Sequence, residues 1–468
     1  MEARKPAKQL HKVIRDPVHN LITLSGDEGQ LILDLIDRPE FQRLRRIRQL
    51  GVGFLTYPGA EHSRFTHSLG VCHLARRMLD ALRGRYGGES SEYSEIENLR
   101  REILVAALLH DVGHGPFSHV FERAIPEASN PPTGYPRDHE GWSERIIQEC
   151  FGKFLANRGV NVEVVTGLIN KKNRQNLLAK DFISSQLDAD RMDYLLRDSQ
   201  AAGPKYGHFD IEWLHHSLRI GRVSVKNNPD GVWRLCFDSQ KAIHVVEEYI
   251  QAREFMYLQV YLHKTTRAYE ALLKNIFELA REICGGDPDR ARPDCPPALA
   301  KMLAGQPVET AEYLSLDDFR VWTLFIDWSL LPESSKLQAM LARKCRQLVN
   351  REQPYKFIEL DNRDKQDNAL RLVANLQSKE LKFSCLRDAF EDLAYRNARY
   401  RKSKDDDEEE DRVIYFVEPE HDPKPAENLS AVIDAISQIK TEIYRLYYDE
   451  NDAQMMERLH GDEWSLEP

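Results

Sequence analysis

The chain has no cysteine pattern that would cross-link a fold. Its seven cysteines include no C-x-x-C pair, and both their odd number and their irregular spacing argue against a disulfide framework. Reduced thiols of this kind are typical of a cytoplasmic protein, and we predict that location. The cysteines are Cys72, Cys150, Cys236, Cys284, Cys295, Cys345 and Cys385.

Long apolar runs and a targeting leader are also absent. No apolar run reaches the roughly 18 residues that a membrane span needs, and the N-terminus MEARKPAKQLHK lacks the apolar segment of a signal peptide. We therefore predict no membrane partner. An excess of positive charge is missing too, because the net charge is −10. This balance weighs against nucleic acid as the main partner, although it leaves a local basic groove open.

The sequence does contain extensive helical periodicity. Residues 99–117 hold a near-continuous apolar stretch that predicts a buried helix, and residues 239–283 predict one or two long helices. Strand patterns are few. Residues 222–238 alternate on both sides of Asn-Pro-Asp-Gly, which predicts a hairpin, and residues 413–419 predict a short strand. The predicted fold class is mainly α with small β additions.

A change in composition indicates a domain boundary. The segment GGDPDRARPDCPPA interrupts the helical pattern near residue 285. We predict a core at 1–285 and, at 286–468, a mostly helical C-terminal region with a short β element. Polar composition predicts loops at 86–95, 126–138 and the acidic run 403–411. For the acidic run, a solvated loop is the first interpretation and an interaction tail is the alternative.

The densest group of chemically capable side chains is HDVGHGPFSH at residues 110–119. The neighbouring side chains of His110 and Asp111 can reach one cation only if the backbone turns there, and Gly113 and Gly115 make such a turn easy. Imidazole and carboxylate are ligands for divalent Fe, Mn, Zn, Ni or Co. The segment therefore indicates a metal site.

A catalytic metal needs further ligands, and two more predicted helices offer them. His67 lies on a helix that we expect to begin near Ser63, and Asp190 lies on another. Four protein ligands would leave coordination positions open for water and substrate. Alone, each signal is weak, because Asp188, Asp190 and Asp193 could equally be helix caps or surface acids. The predicted ligands are His67, His110, Asp111 and Asp190.

The order H…HD…D resembles the HD phosphohydrolase superfamily. The flanking segments KVIRDPVHN, PEFQRLRRIRQLG, YPGAEHSRFTHSLGV, AALLHDVGHGPFSH, DHEGWS and DADRMDYLLRD resemble its deoxynucleoside triphosphate (dNTP) triphosphohydrolase branch. The motifs fall within residues 12–270. The resemblance implies an HD-domain helical core and one divalent metal ion per active site, with Mg²⁺ as a further candidate for that ion. It also allows additional Mg²⁺ to accompany the nucleotide.

The resemblance also implies roles for individual residues. Positions that serve catalysis or bind the triphosphate correspond to Arg64, His114, His119, His139, Arg191 and Tyr194. We expect His119 to act as the general acid that protonates the leaving 5′-oxygen. We expect His139 to support it, paired with Glu122 or Glu140. Glu122 stands where the family often has aspartate.

Further positions concern the sugar and the phosphates. Gln49 and Leu50 correspond to residues that line the sugar, and Asp198 corresponds to a 3′-hydroxyl contact. Leu50 would exclude a 2′-hydroxyl sterically, although core packing is the alternative reading of a single leucine. His263 corresponds to another residue that faces substrate. Gln259 departs from the vertebrate pattern, in which an arginine contacts phosphate.

The resemblance implies a second, regulatory nucleotide site. The positions that bind a guanine nucleotide activator in tetrameric members correspond to Lys12, Val13, Asp37, Gln42 and Arg45. Family members with this site form dimers or tetramers, so we expect a homo-oligomer. The alternative is that Asp37 caps a helix and Arg45 forms ion pairs.

Three functions remain open at this point. The first is hydrolysis of a dNTP to deoxynucleoside and triphosphate, and the phosphate-binding set favours it. The second is hydrolysis of another nucleotide or of single-stranded nucleic acid at the same metal. The third is a nucleotide sensor without catalysis, against which the intact ligand set argues.

Overall fold

Helices dominate the computed structural model. It describes residues 11–87, 91–129, 131–225, 228–291, 294–332, 335–352, 355–361, 363–375, 385–396, 413–418 and 421–449. The α-helices are α1 (Gly26–Ile36), α2 (Pro39–Gln42), α3 (Arg64–Tyr86), α4 (Ser91–Asn98), α5 (Arg100–Leu109), α6 (His119–Ala124), α7 (His139–Ile146), α8 (Gly152–Asn157), α9 (Val162–Ile169), α10 (Leu177–Lys180), α11 (Ala189–Ala202), α12 (Ile211–His216), α13 (Ile243–Met256), α14 (Lys264–Cys284), α15 (Pro297–Leu303), α16 (Thr310–Leu314), α17 (Asp318–Ser329), α18 (Lys336–Val349), α19 (Arg363–Asn375) and α20 (Ala431–Ile436).

The strands form small sheets at the edges of the helical body. They are β1 (His11–Asp16), β2 (Asn20–Ser25), β3 (Leu218–Val225), β4 (Asn228–Asp238), β5 (Lys356–Leu360), β6 (Cys385–Leu393), β7 (Tyr415–Val417), β8 (Lys424–Pro425) and β9 (Lys440–Tyr448). Within the described ranges the strand orders are β1-β2, β3-β4-β7-β8 and β5-β9-β6. The mainly α fold class, the β3-β4 hairpin and the short strand at β7 are confirmed.

Three helices that pack together form the centre of the fold. Helix α3 begins at Arg64 directly after Ser63, as predicted, and it packs against α5 and α11. Every residue of α5 from Glu102 to Leu109 is buried, which explains its unbroken apolar sequence. Because α5 is enclosed, the His-Asp pair that follows it is held inside the molecule.

The two long helices predicted for 239–283 are present, with a break between them. Helix α13 passes into a π-helical turn at Tyr257–Tyr261, and α14 follows from Lys264. A π-helical turn widens the backbone locally and is frequent at functional sites. Here it directs aromatic side chains toward the cavity described below.

The C-terminal region packs onto the same core. Helices α17 and α18 contact each other, and α18 also contacts α14. One continuous apolar cluster includes residues from Ile22 to Tyr447, on both sides of the expected boundary. The division into 1–285 and 286–468 stays a prediction. The region contains the three-stranded sheet β5-β9-β6, which the sequence pattern did not indicate.

The loop predicted at 86–95 differs from the structure, because α4 begins at Ser91. Tyr93 and Ile96 are fully buried and three residues apart, which gives this polar segment one apolar face. The predicted acidic loop at 403–411 lies outside the described residues. No helix of the described ranges is long and apolar enough to cross a membrane.

Candidate active site and metal centre

Four side chains from three helices converge on one point. His67 lies on the first turn of α3, His110 and Asp111 directly follow α5, and Asp190 lies on the first turn of α11. The Nε2 atom of His67 is 3.0 Å from Asp190 Oδ1 and 3.6 Å from Asp111 Oδ2. The Nε2 atom of His110 is 3.6 Å from Asp190 Oδ1 and 3.4 Å from Asp111 Oδ1. The sequence-predicted ligands are therefore brought together.

The orientation of both imidazoles suits a metal ion. His110 Nδ1 lies 2.9 Å from the carbonyl oxygen of Ala107, and His67 Nδ1 lies 2.8 Å from Asp193 Oδ2. Each Nδ1 therefore carries a proton that it donates, and each Nε2 can offer a lone pair to a metal ion that displaces the Nε2 proton. Both Nε2 atoms are buried and face the carboxylates of Asp111 and Asp190 without a well-formed hydrogen bond. Buried nitrogens of this kind fit a divalent ion, so the residues present suit the expected metal.

The charged groups around these ligands change the pKa values of the ligands. Burial alone would lower the pKa of His67, but its contacts with Asp190 and Asp193 outweigh burial and raise the pKa to about 10. Burial opposes ionisation of Asp111, yet Arg64 and His110 hold its pKa well below its usual range. The carboxylates are thus ionised at neutral pH, as metal ligands must be.

A second cluster lies beside the quartet. His139 Nδ1 is 3.0 Å from Glu122 Oε1, and His119 Nδ1 is 3.8 Å from Glu122 Oε2. His114 stacks on His139 with ring centroids 4.0 Å apart, and its Nε2 lies 3.3 Å from Asp111 Oδ1. The structure thus joins the four predicted catalytic side chains, and Asp111 connects them with the quartet.

Glu122 is the better placed of the two candidate partners of His139. Glu140 Oε1 is 4.0 Å from His139 Nε2, and Glu140 already pairs with Lys171. Burial would raise the pKa of Glu122, but His119 and His139 outweigh burial and keep the pKa well below its usual range. Burial lowers the pKa of His119, although half of its side-chain surface still faces open space.

The turn that presents His119 has an unusual backbone. Phe117 and Ser118 have φ angles of 56° and 57°, a region that few non-glycine residues occupy. Asp318, at the start of α17, accepts the backbone N–H groups of Phe117 and Arg48 at 2.7 and 2.9 Å. Burial raises the pKa of this carboxyl to about 6. The C-terminal region therefore holds the turn that precedes His119.

A cavity of about 410 Å³ adjoins this arrangement. Arg64 lines it and also pairs with Asp111, so this one side chain connects the cavity wall with the quartet. Ser118 accepts a hydrogen bond of 2.8 Å from Arg64 Nε. The predicted substrate residues on its wall are Gln49, Leu50, Arg64, Tyr194 and Asp198, together with His119.

Two predicted substrate residues lie beside the cavity wall. Arg191 Nε is 3.8 Å from Asp188 Oδ2, one turn of α11 from Tyr194. His263 caps α14, and its ring centroid is 5.7 Å from that of Tyr57, which lines the cavity. Both are adjacent to the wall, and neither belongs to it.

Asp198 is fixed by two neighbours. Its Oδ1 atom is 2.7 Å from His62 Nε2, and its Oδ2 atom accepts a hydrogen bond of 2.8 Å from the hydroxyl of Tyr261. Both oxygens are therefore positioned before any ligand arrives. The sequence prediction included Asp198 and missed His62 and Tyr261.

Several further wall residues were missed as well. Tyr257 and Tyr261 come from the π-helical turn, Arg267 from α14 and Phe390 from β6. Arg267 is held by Glu270 at 2.6 Å and by Asp388. The aromatic-rich run FMYLQVY was the one available signal, whereas nothing in the local sequence around Phe390 points to a site.

The candidate activator residues occupy the surface near the N-terminus. Arg45 Nε donates to Gln42 Oε1 at 2.8 Å, and Gln42 Nε2 donates to the carbonyl oxygen of Ile36, next to Asp37. Lys12 and Val13 lie on the exposed strand β1. Asp37, Gln42 and Arg45 are thus adjacent, whereas Lys12 and Val13 belong to a separate element.

Comparison with known proteins agrees with this geometry. The HD domain family model matches residues 64–198, which contain the whole quartet. A phosphohydrolase from Bacteroides thetaiotaomicron has a similar structure, with a TM-score of 0.72 and 26% identity over 94% of this chain and 100% of that one. The chain belongs to the HD-domain superfamily, as its motifs predicted.

The chain is similar in sequence to proteins from bacteria and from vertebrates. YwfO, an uncharacterized protein of Bacillus subtilis, is 33% identical over 447 residues, which cover 93% of this chain and 92% of YwfO. The human deoxynucleoside triphosphate triphosphohydrolase SAMHD1 is 30% identical over 296 residues, 57% of this chain and 44% of SAMHD1. The chain thus matches less than half of the length of that relative.

Proposed function

We propose that the protein is a metal-dependent hydrolase that converts dNTPs to deoxynucleoside and triphosphate. One observation carries the proposal: Arg64 lines the cavity and at the same time pairs with the candidate metal ligand Asp111. A triphosphate gripped by Arg64 would therefore have its phosphorus atoms beside the metal site. The similarity to SAMHD1 supports the same substrate class.

The proposed reaction is a single displacement at the α-phosphorus. A water oxygen attacks this atom, the bond to the 5′-oxygen breaks, and that oxygen takes up a proton as the deoxynucleoside leaves. A divalent ion held by the quartet would supply the Lewis acid for this chemistry. Additional Mg²⁺ would accompany the nucleotide phosphates.

His119 is the proposed proton donor to the 5′-oxygen. It lines the cavity, and Glu122 lies between it and His139. The negative charge of Glu122 raises the pKa of His119 against the effect of burial, which favours the protonated ring that a general acid needs. His139 and His114 would hold Glu122 in place.

The rest of the wall suits a deoxyribose and a phosphate chain. Leu50 would leave no space for a 2′-hydroxyl, Gln49 would contact the sugar, and Asp198 is positioned to accept from a 3′-hydroxyl. His62 and Tyr261 already hold the two oxygens of Asp198, so the carboxylate would offer a 3′-hydroxyl an acceptor in a fixed position. Tyr194 and Arg191 are assigned to the phosphates, and His263 to the nucleoside side.

The same resemblance supports further proposals. Lys12, Val13, Asp37, Gln42 and Arg45 would bind a guanine nucleotide activator, and the protein would act as a dimer or tetramer. The exposure of β1 and the adjacency of Gln42 and Arg45 are compatible with such a site. The cytoplasmic location and the two-domain division also remain predictions.

The decisive test is a product screen with purified protein and Mn²⁺. The four dNTPs are supplied singly and as a mixture, because an activator nucleotide is part of the proposal. We expect deoxynucleoside and intact triphosphate in equal amounts. In ¹⁸O-labelled water the label should enter triphosphate and stay out of the deoxynucleoside, since the bond that breaks lies between phosphorus and the 5′-oxygen.

The controls separate the competing functions. Ribonucleotides, a nucleoside monophosphate and single-stranded oligonucleotides are tested under the same conditions. Release of pyrophosphate or monophosphate from a dNTP would contradict displacement of the deoxynucleoside from the α-phosphorus. Inert dNTPs together with cleaved oligonucleotide would reject the proposal in favour of a nuclease.

A further inference from the structure

A fully buried carboxylate lies behind the candidate metal site. Asp193, on α11, has all four acceptor positions of its two oxygens occupied. Oδ1 contacts His19 Nε2 at 2.6 Å and Arg197 Nη2 at 3.0 Å. Oδ2 contacts His67 Nδ1 at 2.8 Å and Arg197 Nε at 2.8 Å. A carboxylate with four such partners cannot rotate without breaking several hydrogen bonds.

These contacts determine where the two imidazole rings carry protons. An ionised carboxylate only accepts hydrogen bonds, so His67 must present its Nδ1–H and His19 its Nε2–H to Asp193. With Nδ1 committed in this way, the Nε2 atom of His67 points toward Asp111 and Asp190. Partners behind a ligand histidine fix its tautomer and ring orientation and raise its basicity.

His19 comes from a different part of the fold. It lies in the tight turn between β1 and β2, where Asp16 Oδ1 accepts the backbone N–H groups of Val18 and His19 at 2.9 Å each. Asp16 also pairs with Arg197 at 2.9 and 3.2 Å. The N-terminal hairpin is thereby attached to Asp193 at two points, through His19 and through Arg197.

The helices approach closely to make this possible. A Cβ atom added to Gly70 on α3 would lie 1.8 Å from Asp193 Oδ1 and 2.6 Å from Arg197 Nη2. Glycine at this position is therefore a requirement of the network. A buried Asp193–Arg197 pair could exist without His19, but then one acceptor position of Oδ1 would be left buried and unpaired, which is unfavourable.

We propose that His19 is a positioning residue for the candidate metal ligand His67, acting through Asp193. The proposal rests on the metal site of the proposed function and extends it, because it makes the N-terminal hairpin part of the metal centre. His19 touches neither the metal position nor the cavity wall. Its effect should therefore appear in metal binding before it appears in any nucleotide contact.

The test compares two amide variants of His19 in the full-length protein. The amide nitrogen of glutamine lies near the Nε2 position of histidine, whereas that of asparagine is too short to reach Asp193. Metal-free protein is titrated with Co²⁺, and the affinity and the visible absorption band are recorded. We expect His19→Asn to weaken Co²⁺ binding by about tenfold and to alter the band, and His19→Gln to restore both.

His73→Asn is the matched control. His73 is half-buried on α3, and its ring centroid is 5.4 Å from that of His19, but Asp193 is not its partner. We expect this variant to bind Co²⁺ like the wild type. A second variant, Asp193→Asn, replaces one acceptor oxygen by a donor and should weaken binding by about 10- to 100-fold. Circular dichroism of the metal-free proteins identifies any variant that does not fold.

The outcomes are distinguishable from those of the proposed function. Equal Co²⁺ affinity for His19→Asn and His73→Asn would overturn the inference, and so would failure of His19→Gln to exceed His19→Asn. Absence of Co²⁺ binding by the wild type would reject the metal site together with the inference. Wild-type protein that binds Co²⁺ but leaves dNTPs intact would reject the proposed substrate alone, while the affinity comparison would still decide the role of His19.

Discussion

His67 and His110 each donate from one ring nitrogen to the protein and turn the other, buried nitrogen toward the carboxylates of Asp111 and Asp190. A buried cluster of imidazoles and ionised carboxylates is the ligand set that a divalent ion prefers. This property of single residues is the strongest physical reason to expect a metal ion, and it is independent of any sequence similarity. It leads directly to a test on one ligand.

Replacing Asp190 by alanine should remove metal binding. The substitution takes one carboxylate from the quartet and leaves Asp111 as the one carboxylate of the quartet that faces the two Nε2 atoms. We expect less than one tenth of the wild-type metal content after dialysis and a loss of hydrolysis of about 10³-fold or more. Metal content is measured by elemental analysis.

A suitable control is Asp27→Ala, since Asp27 is an exposed acid in the first turn of another helix, α1. It should retain metal and activity. Full metal content in Asp190→Ala would contradict the assignment of Asp190 as a ligand.

Glu122→Gln should move the pH profile toward lower pH. Burial lowers the pKa of His119, and the carboxylate of Glu122 opposes that effect. Without this charge the pKa of His119 falls further, so the protonated general acid is lost at lower pH as pH rises. We expect the descending limb of kcat/KM to shift to lower pH, which is measured across pH 5–8.

Glu140→Gln serves for comparison, because Glu140 is paired with Lys171 and lies farther from His139. Its descending limb should stay in place. A shift of the descending limb to higher pH in Glu122→Gln would show that His119 is not the group that titrates.

At the scale of residues, the four candidate ligands could be predicted from the sequence, but the residues that hold them in position could not. His67, His110, Asp111 and Asp190 could be named because the residue types themselves carry metal chemistry. Asp193 was weighed as a possible surface acid, yet it is completely buried. Its partner His19 is 174 residues away in the chain, and no local pattern encodes a contact of that span.

At the scale of elements, α3 can approach α11 closely because Gly70 has no Cβ atom. Gly70→Ala should force the helices apart or displace Asp193, because the new Cβ atom would collide with its carboxylate. We expect a loss of stability of about 1–3 kcal/mol and weaker metal binding. Urea unfolding and Co²⁺ titration measure the two effects.

The same helix provides a control for the helical propensity of alanine. A Cβ atom at Gly84, also on α3, would meet nothing within 4 Å. Gly84→Ala should therefore stabilise the protein by about 0.5–1 kcal/mol. If Gly70→Ala were equally stabilising, the described packing of α3 on α11 would be wrong.

Elements were predictable where their own periodicity showed them. Helices α3, α5, α13 and α14 each have long apolar patterns, and the alternation within residues 222–238 predicted the β3-β4 hairpin. The predicted turn position was wrong, because Asn-Pro-Asp-Gly forms the start of β4. The sheet β5-β9-β6 was not predictable in this way. Strand β5 has five residues, and its partner β9 begins at Lys440, far along the chain. Pairing between such distant short strands leaves no local signal.

At the scale of the whole molecule, the C-terminal region supports the catalytic turn. Asp318→Ala would leave the backbone N–H groups of Phe117 and Arg48 buried and unpaired. We expect a loss of about 1–3 kcal/mol for each unpaired group. Hydrolysis should fall by at least tenfold, because the turn would no longer present His119, whereas metal content should stay constant.

Asp327→Ala controls for a change of charge on the same helix, since Asp327 is exposed on α17. Stability is followed by urea unfolding, and metal by elemental analysis. Normal hydrolysis in Asp318→Ala would show that the turn keeps its shape without the C-terminal region.

The positions of the wall residues along the chain have a consequence for protein synthesis. All four candidate ligands have been synthesised once the chain reaches Asp190. Phe390 on β6, which completes the cavity wall, is synthesised much later. The order of translation therefore makes the candidate ligands available before the last part of the cavity wall, and an unfinished chain would lack the completed cavity.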